Sequence, residues 1–321
     1  MGEPAGIGGE IALAAWRRLA GRGPVFLVID DPERLRDLAG DVPVQAISDP
    51  ADAAEVFKDA LPVLPLGQRI MAVPGRADPR NGPAVIASIA RAVSLTRAGA
   101  AAAVVTNPIH KATLYEAGFG FPGHTEFLAQ LAGGAWPVMM LAGPSLRVVP
   151  LTVHIALAEV PRRLDEAMIV AQARIVAEAL RRDFAIEKPR LAVAGLNPHA
   201  GEDGAMGDEE VRLIAPAVAR LRADGIEATG PLPADTMFHA RARQGYDAAL
   251  CMYHDQALVP IKTLYFDEAV NVTLGLPFVR TSPDHGTALG IAGQGVARPD
   301  SLIAAIELAA AMARRRREYA A

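Results

Sequence analysis

The sequence has 321 residues, a formal net charge of -4, 51% hydrophobic residues and only 5% aromatic residues. This length allows one large α/β unit or two lobes, and a core built from small aliphatic side chains suits helices packed on a parallel sheet. The charge balance disfavours nucleic-acid binding, and no apolar run has membrane-spanning length. The single Cys251, expected to be a buried structural thiol, and the absence of a signal sequence predict a cytoplasmic protein.

Apolar runs alternate with Ala-, Leu- and Arg-rich stretches along most of the chain. The predicted strands are residues 24–29, 102–106, 138–141, 147–153, 190–195, 248–253 and, more weakly, 269–273. The predicted helices are residues 9–19, 82–98, 125–131, 166–183, 208–224 and 300–319. Residues 61–65 are proline-rich and are expected to be a connector. The alternation predicts a three-layer α/β/α fold with a mostly parallel sheet.

The first residues form a glycine-rich stretch, 2–9, that resembles a loop entering a helix. Such a loop normally follows a strand, so we expect a strand before Met1 in the natural protein. The glycines do not form the G-x-G-x-x-G fingerprint, which disfavours a standard Rossmann domain. A plain connection between a loop and a helix explains them equally well.

Three of the seven histidines follow the ends of predicted strands: His154, His199 and His254. Ligands bind at the carboxyl ends of strands in open α/β sheets. Three neutral imidazoles gathered there would make a divalent-metal site with open positions for a substrate. Any one of them alone would more often be an ordinary loop or core residue, but together they favour a metal site.

Several other residues have side chains suited to a site. Thr125 can cap the helix predicted at 125–131, and the exposed N–H groups there favour an anion near His124. Asp235 follows a rigid turn, where it would act as a base, orient a metal ligand or cap a short helix. Asp255 lies beside His254 and would support it.

Two cations and one small loop complete the candidates. Lys262 and Arg280 flank apolar segments and would hold a phosphate and a carboxylate, although each alone is more often a surface residue. Residues 284–288 form a small polar turn that can approach an adenine-ribose group. The run of arginines at 314–317 is expected to be solvated or to face a helix dipole.

Together these segments resemble the 4-hydroxythreonine-4-phosphate dehydrogenases of pyridoxal phosphate biosynthesis. The resemblance extends in family order over nearly the whole chain. The matching stretches are 2–8, 106–111, 123–127, 153–160, 197–202, 230–238, 253–256, 266–280 and 284–288.

The resemblance implies a fold like that of isocitrate and isopropylmalate dehydrogenases, with two α/β lobes, a cleft between them and an obligate homodimer. The expected lobes are residues 1–124 with 281–321, and residues 125–280. The metal histidines would be His154, His199 and His254, contributed by both subunits. Substrate contacts would fall on His124, Thr125, Lys262, Asn271 and Arg280. Cofactor contacts would fall on His285, Gly286 and Thr287.

The implied reaction is NAD(P)-dependent oxidation of a secondary alcohol, followed by loss of carbon dioxide. The metal would be zinc, with cobalt, nickel, manganese or magnesium as alternatives. Asp235 is the first candidate for the catalytic base and Lys111 the second, with Asp255 in support. The chain departs from the family pattern at Glu3, Ala257 and Gly290, and Gly290 leaves the choice between NAD and NADP open.

Three rival functions remain at this point. Paralogues that oxidise 4-phospho-D-threonate or 4-phospho-D-erythronate would share the metal and phosphate sites. A phosphate acyltransferase would share a related two-lobed fold but need no metal and no nicotinamide. A non-catalytic metabolite binder is disfavoured, because the three histidines are present.

Overall fold

The computed structural model describes residues 1–320. In chain order its strands are β1 (Val28–Asp30), β2 (Val44–Ala46), β3 (Leu61–Pro65), β4 (Ala103–Val105), β5 (Val138–Ala142), β6 (Arg147–Pro150), β7 (Arg190–Ala194), β8 (Glu227–Leu232), β9 (Ala248–Cys251), β10 (Val270–Leu274) and β11 (Val279–Pro283). Its α-helices are α1 (Gly8–Leu19), α2 (Pro32–Ala39), α3 (Ala53–Val56), α4 (Gly82–Arg97), α5 (Lys111–Glu116), α6 (His124–Leu131), α7 (Val160–Arg163), α8 (Glu166–Phe184), α9 (Ala215–Ala223), α10 (His254–Tyr265) and α11 (Asp300–Ala320). The predicted α/β fold is confirmed.

The chain divides into two compact units. The first comprises Met1–Trp136 and Leu276–Ala313, and the second comprises Pro137–Gly275 and Arg314–Ala321. In the first unit, β1, β3 and β2 form a parallel sheet in that order, and β4 pairs in parallel with β11. Helix α4 packs against both β1 and β4. Apolar side chains from α1, α11 and the three-stranded sheet form one of its cores.

The second unit carries six strands in the order β10-β5-β6-β9-β7-β8. Strand β5 is antiparallel to both of its neighbours, whereas β6, β9, β7 and β8 are parallel to one another. Val148, Val149 and Leu250 on the central strands are fully buried, as expected for parallel strands covered on both faces. Because β6, β9 and β7 are adjacent and parallel, the residues after their carboxyl ends emerge at one edge of the sheet.

All seven predicted strands overlap observed ones, but β2, β3, β8 and β11 were not predicted. The expectation that residues 61–65 form a connector is wrong, because they form the central strand β3. Pro62 has no N–H to donate to a neighbouring strand. Its two neighbours still bond to the ends of β2: Leu61 N–H donates to Pro43 O at 2.8 Å, and Val63 O accepts from Ile47 N–H at 2.9 Å. Both of these side chains are fully buried, so burial outweighs the missing donor.

Candidate functional site

His154 and His254 lie close together beyond the ends of the adjacent strands β6 and β9. Their ring centroids are 5.8 Å apart. Two hydrogen bonds fasten the segments that lead to them: Leu151 N–H donates to Cys251 O, and Thr152 Oγ1 donates to Met252 O, both at 2.8 Å. His154 has a left-handed backbone with φ of 55°, which turns the chain sharply at this point.

His254 is the first residue of α10, and Asp255 orients its ring. The Nδ1 of His254 lies 2.7 Å from Asp255 Oδ1. A carboxylate at Nδ1 leaves Nε2 as the ring nitrogen for a metal. The buried Gln256 fixes the start of the helix, since its Oε1 accepts from Met252 N at 2.6 Å and its Nε2 donates to Gly195 O at 2.8 Å. This amide therefore ties the His254 segment to the end of β7.

His199 lies in a turn of unusual backbone conformation. Residues 199–203 all have positive φ, which for non-glycine residues costs on the order of 1–2 kcal/mol each. Gly201 packs so tightly that a Cβ there would lie 2.5 Å from Glu210 Oε2. The turn is thus strained and held by its surroundings, a combination found at functional sites.

Glu210 is the residue that holds this turn. It is 2% exposed, and its Oε1 accepts from Leu196 N–H at 2.7 Å and from Asn197 N–H at 2.8 Å. Its Oε2 accepts from Asn197 Nδ2 at 3.0 Å. A buried carboxylate with several charge-assisted hydrogen bonds fixes the entry to the His199 turn. Sequence reasoning missed Glu210, because it lies inside a predicted helix with no local sign of a partner.

The structure brings His154 and His254 together, but it does not gather the full set of three histidines. Across residues 1–320, no group of three or more His, Cys, Asp or Glu side chains has an arrangement that could hold a metal ion.

Asp235 is exposed in a 3₁₀ turn, Ala234–Thr236, that contacts the turn carrying His199. The alternative in which Asp235 caps that turn is wrong, because the N-cap position is Pro233 and makes no side-chain cap bond.

In the first unit, Lys111, His124 and Arg280 form a second cluster, which is positively charged. The pKa of His124 lies well below its ordinary value, first because of burial and then because of the charges of Arg280, the Met1 amino group and Lys111. Its Nε2 is buried and has no hydrogen-bond partner in the described part of the chain. Lys111 Nζ lies against Gly123, 3.3 Å from where a Cβ would be. A neutral imidazole flanked by two cations suits an anionic ligand.

Arg280 is the buried member of this cluster. It lies on β11, is 3% exposed and donates to Thr106 Oγ1 at 2.6 Å. Burial lowers its pKa to about 10, so it remains protonated at neutral pH. The alternative that Arg280 is a surface charge is therefore wrong, because its side chain is buried. The predicted cap by Thr125 is also wrong: Gly123 is the N-cap of α6, and Thr125 is its second residue.

The two remaining predicted substrate contacts lie in the second unit. Lys262 is on α10, with its Nζ 5.9 Å from the centroid of the Phe266 ring. Asn271 is half-buried on β10. Their role in binding a substrate stays a prediction.

The N-terminal glycine loop packs against the loop predicted to bind the cofactor. Ile7 N–H donates to Thr287 O at 3.1 Å, and a Cβ on Gly6 would lie 2.7 Å from that same oxygen. His285 Nδ1 lies 2.9 Å from Gly286 O, while its Nε2 is buried without a hydrogen-bond partner among residues 1–320. The glycines thus permit close contact between two backbone segments.

The structure also shows the surroundings of Cys251 and of Arg316. Cys251 is fully buried, which confirms a structural thiol, and burial raises its pKa. Arg316 was expected to be solvated or to face a helix dipole, but it pairs with the buried Asp183, with two contacts of 2.7 Å. In the part of the chain that the structure describes, no helix combines the length and apolar character needed to cross a membrane.

Several proteins that carry one name are similar to this chain over 98% of its length. The 4-hydroxythreonine-4-phosphate dehydrogenase of Caulobacter vibrioides is 56% identical, covering 98% of this chain and 96% of the relative. That of Methylorubrum populi is 58% identical, covering 98% and 93%. The crystal structure of the Klebsiella pneumoniae enzyme of that name has a TM-score of 0.88 at 40% identity, covering 98% of this chain and 96% of that one. The family model described as pyridoxal phosphate biosynthetic protein PdxA matches residues 24–309, and the chain belongs to that family.

Proposed function

We propose that this chain catalyses the NAD(P)-dependent oxidation of 4-phosphooxy-L-threonine to 2-amino-3-oxo-4-phosphooxybutanoate in pyridoxal 5'-phosphate biosynthesis. This β-keto acid then loses carbon dioxide and gives 3-amino-2-oxopropyl phosphate. The observation that carries the proposal is the similarity, over 98% of the chain, to relatives that bear the name of this dehydrogenase.

The histidines of the second unit fit a divalent metal by their donor chemistry. His154 and His254 are neighbours, and Asp255 contacts Nδ1 of His254, which leaves Nε2 as the nitrogen for a metal. With His199 they would supply three neutral nitrogen ligands, which suits zinc and allows cobalt, nickel, manganese or magnesium. When bound, such an ion would lower the pKa of the substrate hydroxyl, and a nicotinamide cofactor would supply the acceptor for the hydride.

The chain's own groups hold the substrate and move its proton. Arg280 is a buried cation whose planar fork matches a carboxylate or phosphate. His124 is held neutral, so its Nε2 can donate to or accept from a substrate oxygen without adding charge. Asp235 is the proposed acceptor of the hydroxyl proton and Lys111 the alternative. Lys262, Asn271 and Thr125 are proposed substrate contacts, and residues 285–287 are proposed to contact the nicotinamide cofactor.

We infer that two subunits complete the metal site, because one chain does not gather the three histidines. Pairwise mixing of His154→Ala, His199→Ala and His254→Ala chains tests this inference. Two inactive chains restore an intact site when their lost ligands come from different subunits, and random pairing then returns about a quarter of wild-type activity. Pairs that fail to complement identify the ligands that one subunit supplies. No restoration in any verified heterodimer would contradict shared ligation.

The function is tested by following reduced nicotinamide with 4-phosphooxy-L-threonine, after chelation and after divalent metal is added back. We expect turnover that the chelator abolishes and the metal restores, with 3-amino-2-oxopropyl phosphate as the product. Acyl transfer between an acyl phosphate and coenzyme A, with no response to the chelator, would instead assign the chain to the phosphate acyltransferases.

A further inference from the structure

Glu10, in the first turn of α1, ties this helix to the loop at residues 289–295. It is half-buried, and its Oε1 accepts from Gly293 N–H at 2.7 Å. Its Oε2 is buried and has no hydrogen-bond partner among residues 1–320. Buried polar atoms in native proteins are nearly always hydrogen-bonded, so an exception calls for a physical explanation. The described chain supplies a donor to one oxygen of this carboxylate and none to the other.

The loop at residues 289–295 follows directly after the segment proposed to contact the nicotinamide cofactor. That segment is fixed against the glycine-rich start of the chain, since Ile7 N–H donates to Thr287 O at 3.1 Å. The loop itself has space beside it, because Gly290 is exposed and a Cβ there would meet no heavy atom within 4 Å. Glu10 thus lies beside the proposed cofactor contacts, within the first unit.

The carboxylates that would ordinarily bind a ribose in an α/β fold have other partners here. In dinucleotide-binding folds, an acidic residue about 20 positions after a glycine-rich loop accepts from the ribose hydroxyl. Asp30 and Asp31 have that position, at the end of β1. Asp30 is 1% exposed, and its two oxygens accept from Arg34 at 3.1 and 2.6 Å. Asp31 accepts from two backbone N–H groups at 3.0 and 2.9 Å. Glu10, unlike these two residues, keeps an oxygen without a partner.

The arginines on either side of this region are engaged with a carboxylate. Arg18 on α1 and Arg298, just after the loop, both bond to Asp300, at 2.7 and 3.2 Å. A ribose hydroxyl requires an acceptor, whereas the 2'-phosphate of NADP requires a cation such as arginine. The charge distribution around Glu10 therefore favours a ribose with a free 2'-hydroxyl.

We propose that Glu10 binds the 2'-hydroxyl of the adenosine ribose and thereby selects NAD over NADP. Glu10 Oε1 holds the loop through Gly293, and Oε2 accepts from the hydroxyl. A 2'-phosphate would bring further negative charge against this carboxylate, which disfavours NADP. Gly290 offers no side chain for such a contact, and Glu10 reaches the same loop from α1. This inference rests on the proposed function, because it takes the cofactor to be a nicotinamide dinucleotide.

Calorimetric titration with NAD and with NADP tests the proposal without turnover. We expect the wild type to bind NAD at least about tenfold more tightly than NADP, and Glu10→Gln to reduce this ratio about tenfold or more. Glu55→Gln is the matched control, because Glu55 is an exposed residue of α3, and it should keep the ratio of the wild type. The wild type alone provides a second test: an NAD analogue with 2'-deoxyadenosine should bind about tenfold more weakly than NAD.

Amide exchange at Gly293 separates ribose binding from a purely structural role of Glu10. Faster exchange together with equal losses of NAD and NADP affinity in Glu10→Gln would assign Glu10 to holding the loop alone, and would overturn the proposal. Equal binding of NAD and its 2'-deoxy analogue by the wild type would overturn it as well. In both cases the wild type still binds a dinucleotide, so the proposed function stands. Binding of neither NAD nor NADP to the wild type would contradict the proposed function and this inference together.

Discussion

Glu210→Gln is the substitution that most sharply tests how His199 is positioned. The buried carboxylate of Glu210 accepts three hydrogen bonds, two of them from the backbone at Leu196 and Asn197. These bonds offset the strain of the turn at residues 199–203, whose four non-glycine residues cost roughly 4–8 kcal/mol in total. Glutamine keeps one acceptor oxygen but removes the charge and places an amide donor against Asn197 Nδ2.

The expected size of the effect follows from these contacts. Each hydrogen bond to a charged group contributes about 1.5–3 kcal/mol, and the retained carbonyl oxygen keeps part of this, so the net loss is about 2 kcal/mol. That free energy corresponds to a change of roughly 30-fold, within the range seen when residues that support a metal ligand are changed. We expect the half-saturating concentration of the activating metal to rise about 10- to 100-fold, while the protein stays folded.

Two readouts and one control make this prediction specific. Amide exchange at Leu196 and Asn197 should accelerate at least about tenfold, a readout that does not depend on metal or turnover. Glu209→Gln is the matched control, because Glu209 reaches only the side chain of Asn197, at 2.7 Å, and a small effect is expected. Unchanged exchange and unchanged metal dependence in Glu210→Gln would refute the positioning role.

Three further substitutions test substrate binding, metal binding and stability. Arg280→Ala should raise KM for the substrate about 10- to 100-fold with a smaller change in kcat, and kinetics like those of the wild type would remove it from the binding residues. Asp255→Asn should raise the half-saturating metal concentration about tenfold through loss of support for His254, whereas an unchanged metal titration would contradict that support. Asp183→Asn should destabilise the protein by about 3 kcal/mol. Burial alone would raise the pKa of Asp183, but its two arginine partners lower this pKa below the ordinary value of 3.8. The ionised Asp183 therefore stabilises the fold above about pH 4, and this stabilisation is lost as the pH falls through the folded-state pKa. Urea unfolding across this pH range checks the last prediction, with the exposed Asp224→Asn as a control, and equal stabilities of wild type and Asp183→Asn near neutral pH would contradict it.

The histidines at strand ends were predictable because position in a parallel sheet follows from local pattern. His154 and His254 follow apolar runs that form adjacent strands, so their proximity requires only the strand order. The glycine-rich start of the chain was recognisable in the same way, as a loop that enters the helix α1. In each case the relevant information lies within a few residues.

The backbone around His199 was not predictable, because its cause lies elsewhere in the chain. Its left-handed turn depends on Glu210, eleven positions further on and inside a stretch with helical periodicity. The burial of Arg280 depends on the layers around β11, and Thr125 yields the cap position to Gly123 because α6 begins one residue earlier than its pattern suggests. Long-range packing decides each of these outcomes.

The proposed substrate is tested by comparing kcat/KM for 4-phosphooxy-L-threonine with that for 4-phospho-D-threonate, using the same metal-loaded enzyme and NAD or NADP. We expect a clear preference for 4-phosphooxy-L-threonine with either nicotinamide. Preference for the threonate would retain the metal-dependent oxidation but contradict the assignment to pyridoxal phosphate biosynthesis, and turnover of neither would contradict the dehydrogenase itself.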